Sequence, residues 1–386
     1  MTRGRRSIHG RRALTARGVW LACASLVSAV MLVGCAGGLT QTSELSQLPR
    51  ETTWQPQVLT TPTKVPAQIS FTWVGDMTFG AHGSYPKAGV GSLLNGVRKY
   101  LSSDVTMGNL ETVIGTMQAN KCPKDAKPGT CYVFVAPPAT GKALKDAGFS
   151  VMNMANNHSM DADMPGVKST QDALKAAGVN WTGRPGQITY VDVKGLKIAV
   201  LGFAPYTNVA NALDIPGMKS LVRKAAAKAD LVVVIMHLGA EGSDKQHVKP
   251  GSEYAFNENR GDPIAFSHAA IDSGADLVVG SGPHVLRGME WYKGHLIAYS
   301  LGNFSGYNSL ACSGTMSYSG ILHVTLGEKG EFIAGDLTPV RLKSPGIPVF
   351  DPKNASVTMV NALSKADFAG KSAVVMNKTG KIKPPA

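Results

Sequence analysis

Apolar residues follow two spacings along this chain, and the two alternate. Mostly apolar runs of strand length occur at Ile69–Val74, Val151–Met154, Leu231–Met236 and Leu277–Val279. Between them, Leu93, Leu94, Val97 and Leu101 predict a helix over Ser92–Ser102. Similar patterning predicts helices over Thr140–Ala147, Val167–Ala177, Met218–Lys228 and Ile264–Ser273. Gly148 and Gly178 stand where C-caps of two of these belong. Shorter strands are expected at Val105–Met107, Tyr132–Val135 and His295–Ser300. Tyr190–Val193 and Lys197–Phe203 flank Gly195 as hairpin arms, and Gly320–Leu326 with Glu331–Leu342 forms a closing antiparallel pair. Strands apolar throughout imply a sheet covered on both faces. With helices in alternation, the expected fold is a layered α/β sandwich over residues 68–343. Residues 344–386, rich in Pro and Lys with one possible helix at Val360–Phe368, are expected at the periphery.

The N-terminal region reads as targeting. Residues 1–35 carry six arginines (Arg3, Arg5, Arg6, Arg11, Arg12, Arg17) and no acid, then an apolar stretch from Val19 to Val33. About fifteen apolar residues are short for a spanning helix and suit an export signal. Leu32-Val33-Gly34-Cys35 resembles a bacterial lipobox, with cleavage before Cys35 and lipidation of its thiol. Arg11-Arg12 also permits twin-arginine export. Residues 36–67 shift to Thr, Gln, Ser and Pro, a composition that cannot bury enough apolar surface to offset the entropy of ordering. They are expected to form a flexible tether with a reach of roughly 30 Å. The expected location is the extracytoplasmic face of the cell membrane.

Removing the six signal arginines from the formal +13 leaves +7, compatible with an anionic substrate or envelope surface. No Lys/Arg stripe is interleaved with aromatics, which argues against nucleic acid. Apart from Cys23 and Cys35 in the signal, Cys122, Cys131 and Cys312 remain. In an oxidising compartment Cys122 and Cys131 could close the loop between them, or Cys312 could pair with either; spacing does not choose. None has Cys-x-x-Cys zinc spacing.

Chemistry-bearing residues cluster after the predicted strands: Gly75-Asp76, Asn109-Leu110-Glu111, Asn156-Asn157-His158 with Asp161, His237-Leu238-Gly239, and Gly282-Pro283-His284. Side chains at the carboxyl ends of neighbouring strands converge on one crevice. Singly, each motif has an ordinary reading: Gly-Asp as a turn, Asn-Asn-His as a helix cap, His237 as a core histidine. Together they match a divalent-metal site, with Asp76, Glu111, Asn157, His237 and His284 as ligands. His158 would be the general acid, oriented by Asp161.

The order and wording of these motifs resemble the CapA-type family of bacterial capsule and poly-γ-glutamate biosynthesis proteins, which have a calcineurin-like metallophosphoesterase fold. The specific pieces are Ala155-Asn156-Asn157-His158 with Asp161, Ala275–Gly280 leading to Pro283-His284-Val285-Leu286, and Tyr299-Ser300-Leu301-Gly302-Asn303-Phe304. The resemblance implies work on an anionic envelope polymer such as poly-γ-glutamate, beside a membrane synthase complex. It admits either a metal-dependent hydrolase or a non-catalytic accessory lipoprotein. Two departures stand out. Gly282 replaces the first His of the family's Gly-x-His-Pro-His, and Thr78 occupies the position where ordinary metallophosphatases carry a His. The expectation is therefore at most one tightly held Mn, Fe or Zn ion, on Asp76, Glu111 and His284, and a gain of metal on Gly282→His. Glu241 and Asp262 are further candidates for the missing ligand.

Overall fold

The computed structural model describes residues 67–385, apart from 81–82, 117–120, 124, 126 and 128–130. The expected export signal, Cys35 and the expected tether through residue 66 lie outside the described residues. No helix among the described residues is long and apolar enough to cross a membrane.

Two sheets face each other. The larger runs in the order Ile347–Phe350, Phe332–Lys343, Tyr318–Gly327, Gln68–Thr78, Val105–Leu110, Val151–Asn153 and Asn180–Thr182, with Asn303–Gly306 also pairing with Gln68–Thr78. The smaller runs Met289–Tyr292, His295–Ala298, Leu277–Ser281, Leu231–His237, Leu196–Phe203 and Thr189–Val193. The period-2 alternation of strand side chains divides the apolar residues among three cores. Ile69, Phe71, Trp73 and Met107 of the larger sheet meet Val200, Val233, Ile235 and Val279 of the smaller one. Trp73 adds a hydrogen bond across the gap, its indole N–H donating to the Gly280 carbonyl at 3.1 Å. Val74, Met77 and Met152 point outward against the helices Ala139–Ala147 and Asp163–Ala177. Leu201, Val232, Val234 and Val278 point outward on the other side, against Ile215–Ala226 and Pro263–Ile271. The result is the expected layered α/β sandwich, four layers deep.

Three local expectations are corrected. Ser92–Ser102 is not one helix but two short 3-10 turns, Val90–Leu94 and Arg98–Tyr100. Gly91 and Gly96 lower helix propensity there, and Gly96 lies so close to the chain that a Cβ would stand 3.0 Å from the Pro348 carbonyl oxygen. Leu93, Leu94, Val97 and Leu101 are buried all the same, so the apolar spacing marked burial rather than a regular helix. Tyr132–Val135 yields only the two-residue strand Val135–Ala136, paired with Val113–Ile114. The segment after Ser344 is not peripheral. Ile347–Phe350 extends the larger sheet, and Val357, Val360, Val374, Met376 and Ile382 enter the core between the sheets.

Candidate metal centre

Asp76 reaches the centre through a break in strand register. Regular alternation would put it on the same face as Val74. Instead Val74 pairs with Gly108 and Asp76 with Asn109, leaving Gly75 as an extra residue. This bulge inverts the alternation: Val74 and Met77 both enter the outer core, and Asp76 turns towards the smaller sheet. Gly75 is packed so closely that a Cβ there would collide with the Gly302 carbonyl oxygen. That same oxygen accepts the Asp76 N–H at 3.0 Å.

Asp76 Oδ1 accepts from the Asn109 amide at 2.8 Å, and Oδ2 accepts from the Gly282 N–H at 3.2 Å. His237 Nδ1 lies 3.7 Å from Oδ1, and His284 Nδ1 3.2 Å from Oδ2. Glu111, just after the Val105–Leu110 strand, has its N–H bonded to the Met77 carbonyl at 2.9 Å. Its Oε1 lies 3.9 Å from His237 Nε2 and 3.7 Å from His284 Nε2. Asp76, Glu111 and His237 each offer a ligand atom within 4.8 Å of the others.

The fit to a cation rests on missing partners. Both Glu111 carboxylate oxygens and His237 Nε2 are buried with no hydrogen bond. Each such atom costs about 1–3 kcal/mol, more when charged, and a divalent ion among them would satisfy all three. His237 Nδ1 has the Asn109 amide nitrogen at 3.1 Å and Ser281 Oγ at 3.4 Å; the nearer partner is a donor, which puts the ring proton on Nε2, where an arriving cation would displace it. Two carboxylates with imidazole suit Mn, Fe or Zn.

Charge is unevenly held. Burial pushes the Asp76 carboxyl up, but His237 and His284 overcome it and hold the group far below the usual carboxylate range. Burial raises Glu111 well above its ordinary value, with Asp76 and Glu241 adding to the shift and His284 opposing it. Burial alone would lower His284, yet Glu111, Asp76 and Glu241 raise it well above the ordinary imidazole value. His237 is lowered, chiefly by burial.

His158 and Asp161 meet as the sequence suggests. His158 Nδ1 lies 2.7 Å from Asp161 Oδ2, which also accepts the Phe134 N–H at 2.6 Å. Burial lowers the His158 pKa, Asp161 opposes this, and Lys121 and His284 add to it. With Nδ1 held by the Asp161 carboxylate, Nε2 is the ring nitrogen left over. That nitrogen is the one available for proton transfer, as the expected general-acid role requires.

His158 lines two adjoining openings of about 200 and 350 Å3. Asn157, whose amide oxygen is buried without a partner, lines the first with Glu241 and Arg260; His284 and Asn303 line the second. Glu241 arrives from the loop after the Leu231–His237 strand, its Oε2 3.6 Å from His284 Nε2 and its Oε1 2.6 Å from Arg260. Asp262 does not join the site. It caps the Pro263–Ile271 helix, accepting from the Ala265 N–H, and also accepts from the Gly251 N–H, both at 2.9 Å.

Two asparagines carry more than their motifs disclose. Asn109 bonds Asp76 through its amide nitrogen, and its oxygen accepts from Asn153 at 2.8 Å and Asn156 at 3.2 Å. Asn303, paired in register with Asp76, holds His284 Nδ1 at 2.7 Å. Both stand in motifs visible in the sequence, at strand ends where a buried amide signals a fixed hydrogen-bond network.

Gly282 has φ 109, and a Cβ there would lie 3.2 Å from the Leu238 nitrogen and 3.3 Å from the His237 ring. A histidine would be strained in that backbone region and would press on His237. The gain of metal expected from Gly282→His is therefore opposed by geometry. Cys122 and Cys131 are disulfide-bonded and Cys312 is free.

The sequence profile of a family described as "Bacterial capsule synthesis protein PGA_cap" matches residues 70–307. The capsule biosynthesis protein CapA of Bacillus anthracis is 34% identical over 261 residues, 61% of this chain and 59% of that protein. The PGA biosynthesis protein CapA of Bacillus subtilis is 29% identical over 328 residues, 78% of this chain and 80% of that one. Among solved structures, a 5'-nucleotidase precursor from Thermus thermophilus aligns with TM-score 0.40 and 14% identity, over 78% of this chain and 59% of that chain.

Proposed function

Because the chain belongs to the bacterial capsule synthesis family PGA_cap, we propose that it acts in assembly of an anionic envelope polymer as a metal-dependent hydrolase. The observation that carries this reading is the unpartnered, buried Glu111 carboxylate facing His237 Nε2 beside Asp76. Asp76, Glu111 and His237 would hold the ion, with His284 and Asn157 at its margin. A bound divalent ion supplies Lewis-acid polarisation and a water of lowered pKa. His158 takes the proton from the attacking water and passes it to the leaving group, while Asp161 fixes the ring and stabilises its charged form. Bonds of phosphoester or amide type are the substrate class, and poly-γ-glutamate is the polymer that the family points to.

Thermal melts test the metal. Glu111 and His284 both have raised pKa values in the folded, metal-free protein. Their stabilising contribution is full below the unfolded values, about 4.3 and 6.5, and is lost as pH rises through the folded ones. A cation displaces those protons. Adding Mn2+ should therefore raise Tm more at pH 8 than at pH 6. Equal shifts at both pH values would remove Glu111 and His284 from the ion's surroundings.

A second reading is an accessory lipoprotein that binds polymer or a synthase without turnover. Gly282 favours it, since no side chain at that position can ligate. Both readings place the protein on the outer face of the membrane through lipidated Cys35. Cys35→Ser should leave an unprocessed, unlipidated precursor in a palmitate-labelling experiment. Normal processing and labelling of the variant would refute the anchor.

A further inference from the structure

The disulfide lies beside the centre, and the residues flanking its two cysteines grip one pair of side chains. Lys121, next to Cys122, makes three contacts. Its Nζ donates to the Asn157 carbonyl at 2.7 Å, pairs with Asp161 Oδ1 at 3.3 Å, and its backbone N–H donates to the Asp161 carbonyl at 3.4 Å. On the other side, Cys131 leads through Tyr132 to Phe134. The Phe134 N–H occupies the second Asp161 oxygen at 2.6 Å, and its ring lies 4.2 Å from the His158 ring. Asp161 is fully buried: Oδ2 accepts from Phe134 and is held by His158, while Oδ1 has no hydrogen bond and is balanced by the Lys121 ammonium alone. The Cys122–Cys131 bond ties those two grips together covalently.

We infer that Lys121 and the Cys122–Cys131 disulfide form a positioning clamp for the His158–Asp161 pair. Lys121 is a positioning residue. Its charge stands across Asp161 from His158 and fixes the carboxylate orientation that holds Nδ1, leaving Nε2 set for the cleft. Among the described residues from Lys121 to Ala136, the regular structure is the two-residue strand Val135–Ala136. Without the crosslink the two grips are joined only by main chain, and loop-closure entropy then works against holding both at once. The catalytic meaning of the clamp rests on the hydrolytic reading above; its structural meaning does not.

Two measurements on the full chain separate these. In the first, amide hydrogen exchange is followed in wild type and in Cys122→Ser/Cys131→Ser. The Phe134 amide should exchange about 10-fold faster or more in the variant, while Val233 and Ile235 in the central strand keep their protection. Unchanged protection at Phe134 overturns the clamp, whatever the enzyme does. In the second, hydrolysis of bis(p-nitrophenyl) phosphate with Mn2+ is measured for Lys121→Met and Lys121→Arg. The methionine variant should lose about 10- to 100-fold in kcat, the range for partners that orient reactive groups, with KM unchanged. Arginine should restore most of it. Full kcat in Lys121→Met overturns the positioning role, and so does a rise in KM alone, which would make Lys121 a substrate contact. A wild-type protein without turnover refutes the hydrolytic reading, and the exchange result then decides the clamp by itself.

Discussion

Asp76→Ala should leave the purified protein without a tightly held divalent ion. The carboxylate is the hub of the centre, touching Asn109, Gly282, His237 and His284 at once. Loss of a group that merely orients a ligand lowers metal affinity about 10- to 100-fold, and loss of a ligand itself should exceed that. Elemental analysis of dialysed protein reads the result directly, and hydrolysis should fall with it. Asp76→Asn is the companion variant, because it keeps the shape and removes the charge. A metal content near one per chain in Asp76→Ala would place the ion elsewhere. Acid will not mimic the substitution in the usual range. The folded-state pKa of Asp76 is depressed, so its stabilising charge is present above the unfolded value and is lost only as pH falls through the folded one, far below ordinary carboxylates.

His158→Ala should separate chemistry from binding. His158 bonds Asp161 and is not among the three residues that could together hold an ion. Metal content should therefore stay at the wild-type level while kcat falls about 10^2- to 10^4-fold, the usual contribution of a positioned acid–base group. Burial lowers the wild-type imidazole below its ordinary value. If it starts each cycle as a proton acceptor, kcat/KM should fall on the acid side with a midpoint below about 6.5. Activity that instead falls as pH rises through that midpoint would assign it the donor role from the outset. A variant with full kcat would exclude it from the reaction.

The sequence shows where chemistry gathers better than how it is assembled. Asp76, Glu111, His158, Asp161, His237 and His284 each follow a strand that apolar patterning reveals, and the topology of parallel strands brings their ends together. Grouping within the set is a matter of ångströms. The family resemblance pairs Asp76 and Glu111 with His284, whereas the three residues whose ligand atoms fall within 4.8 Å of one another are Asp76, Glu111 and His237. The Gly75 bulge has no sequence signature beyond a glycine, and it decides which way Asp76 points. Glu241 and Asp262 look alike in the chain, and only the fold sends one to His284 and the other to a helix cap. Short strands such as Met289–Tyr292 and Asn303–Gly306 escape periodicity because four residues carry too little pattern. The C-terminal segment is misread for a similar reason: its Pro and Lys are visible at once, while Val357, Val360 and Val374 count only when the core they enter is known.

The pairing of Gln68–Thr78 has a bearing on when the centre can come into being. This strand lies in the interior of its sheet. One neighbour, Val105–Leu110, follows it closely in the chain. Its other partners, Asn303–Gly306 and Tyr318–Gly327, come far later, as register pairs such as Asp76 with Asn303 and Ile69 with Leu326 show. The oxygen that anchors Asp76 belongs to Gly302. A ribosome or an export channel delivers the N-terminal end first, so Asp76 emerges long before the strand and the carbonyl that orient it. Pairings of such separation form slowly. Metal added to a chain released before residue 302 would meet the carboxylates without their geometry, so capture of an ion would belong to the last stage of maturation.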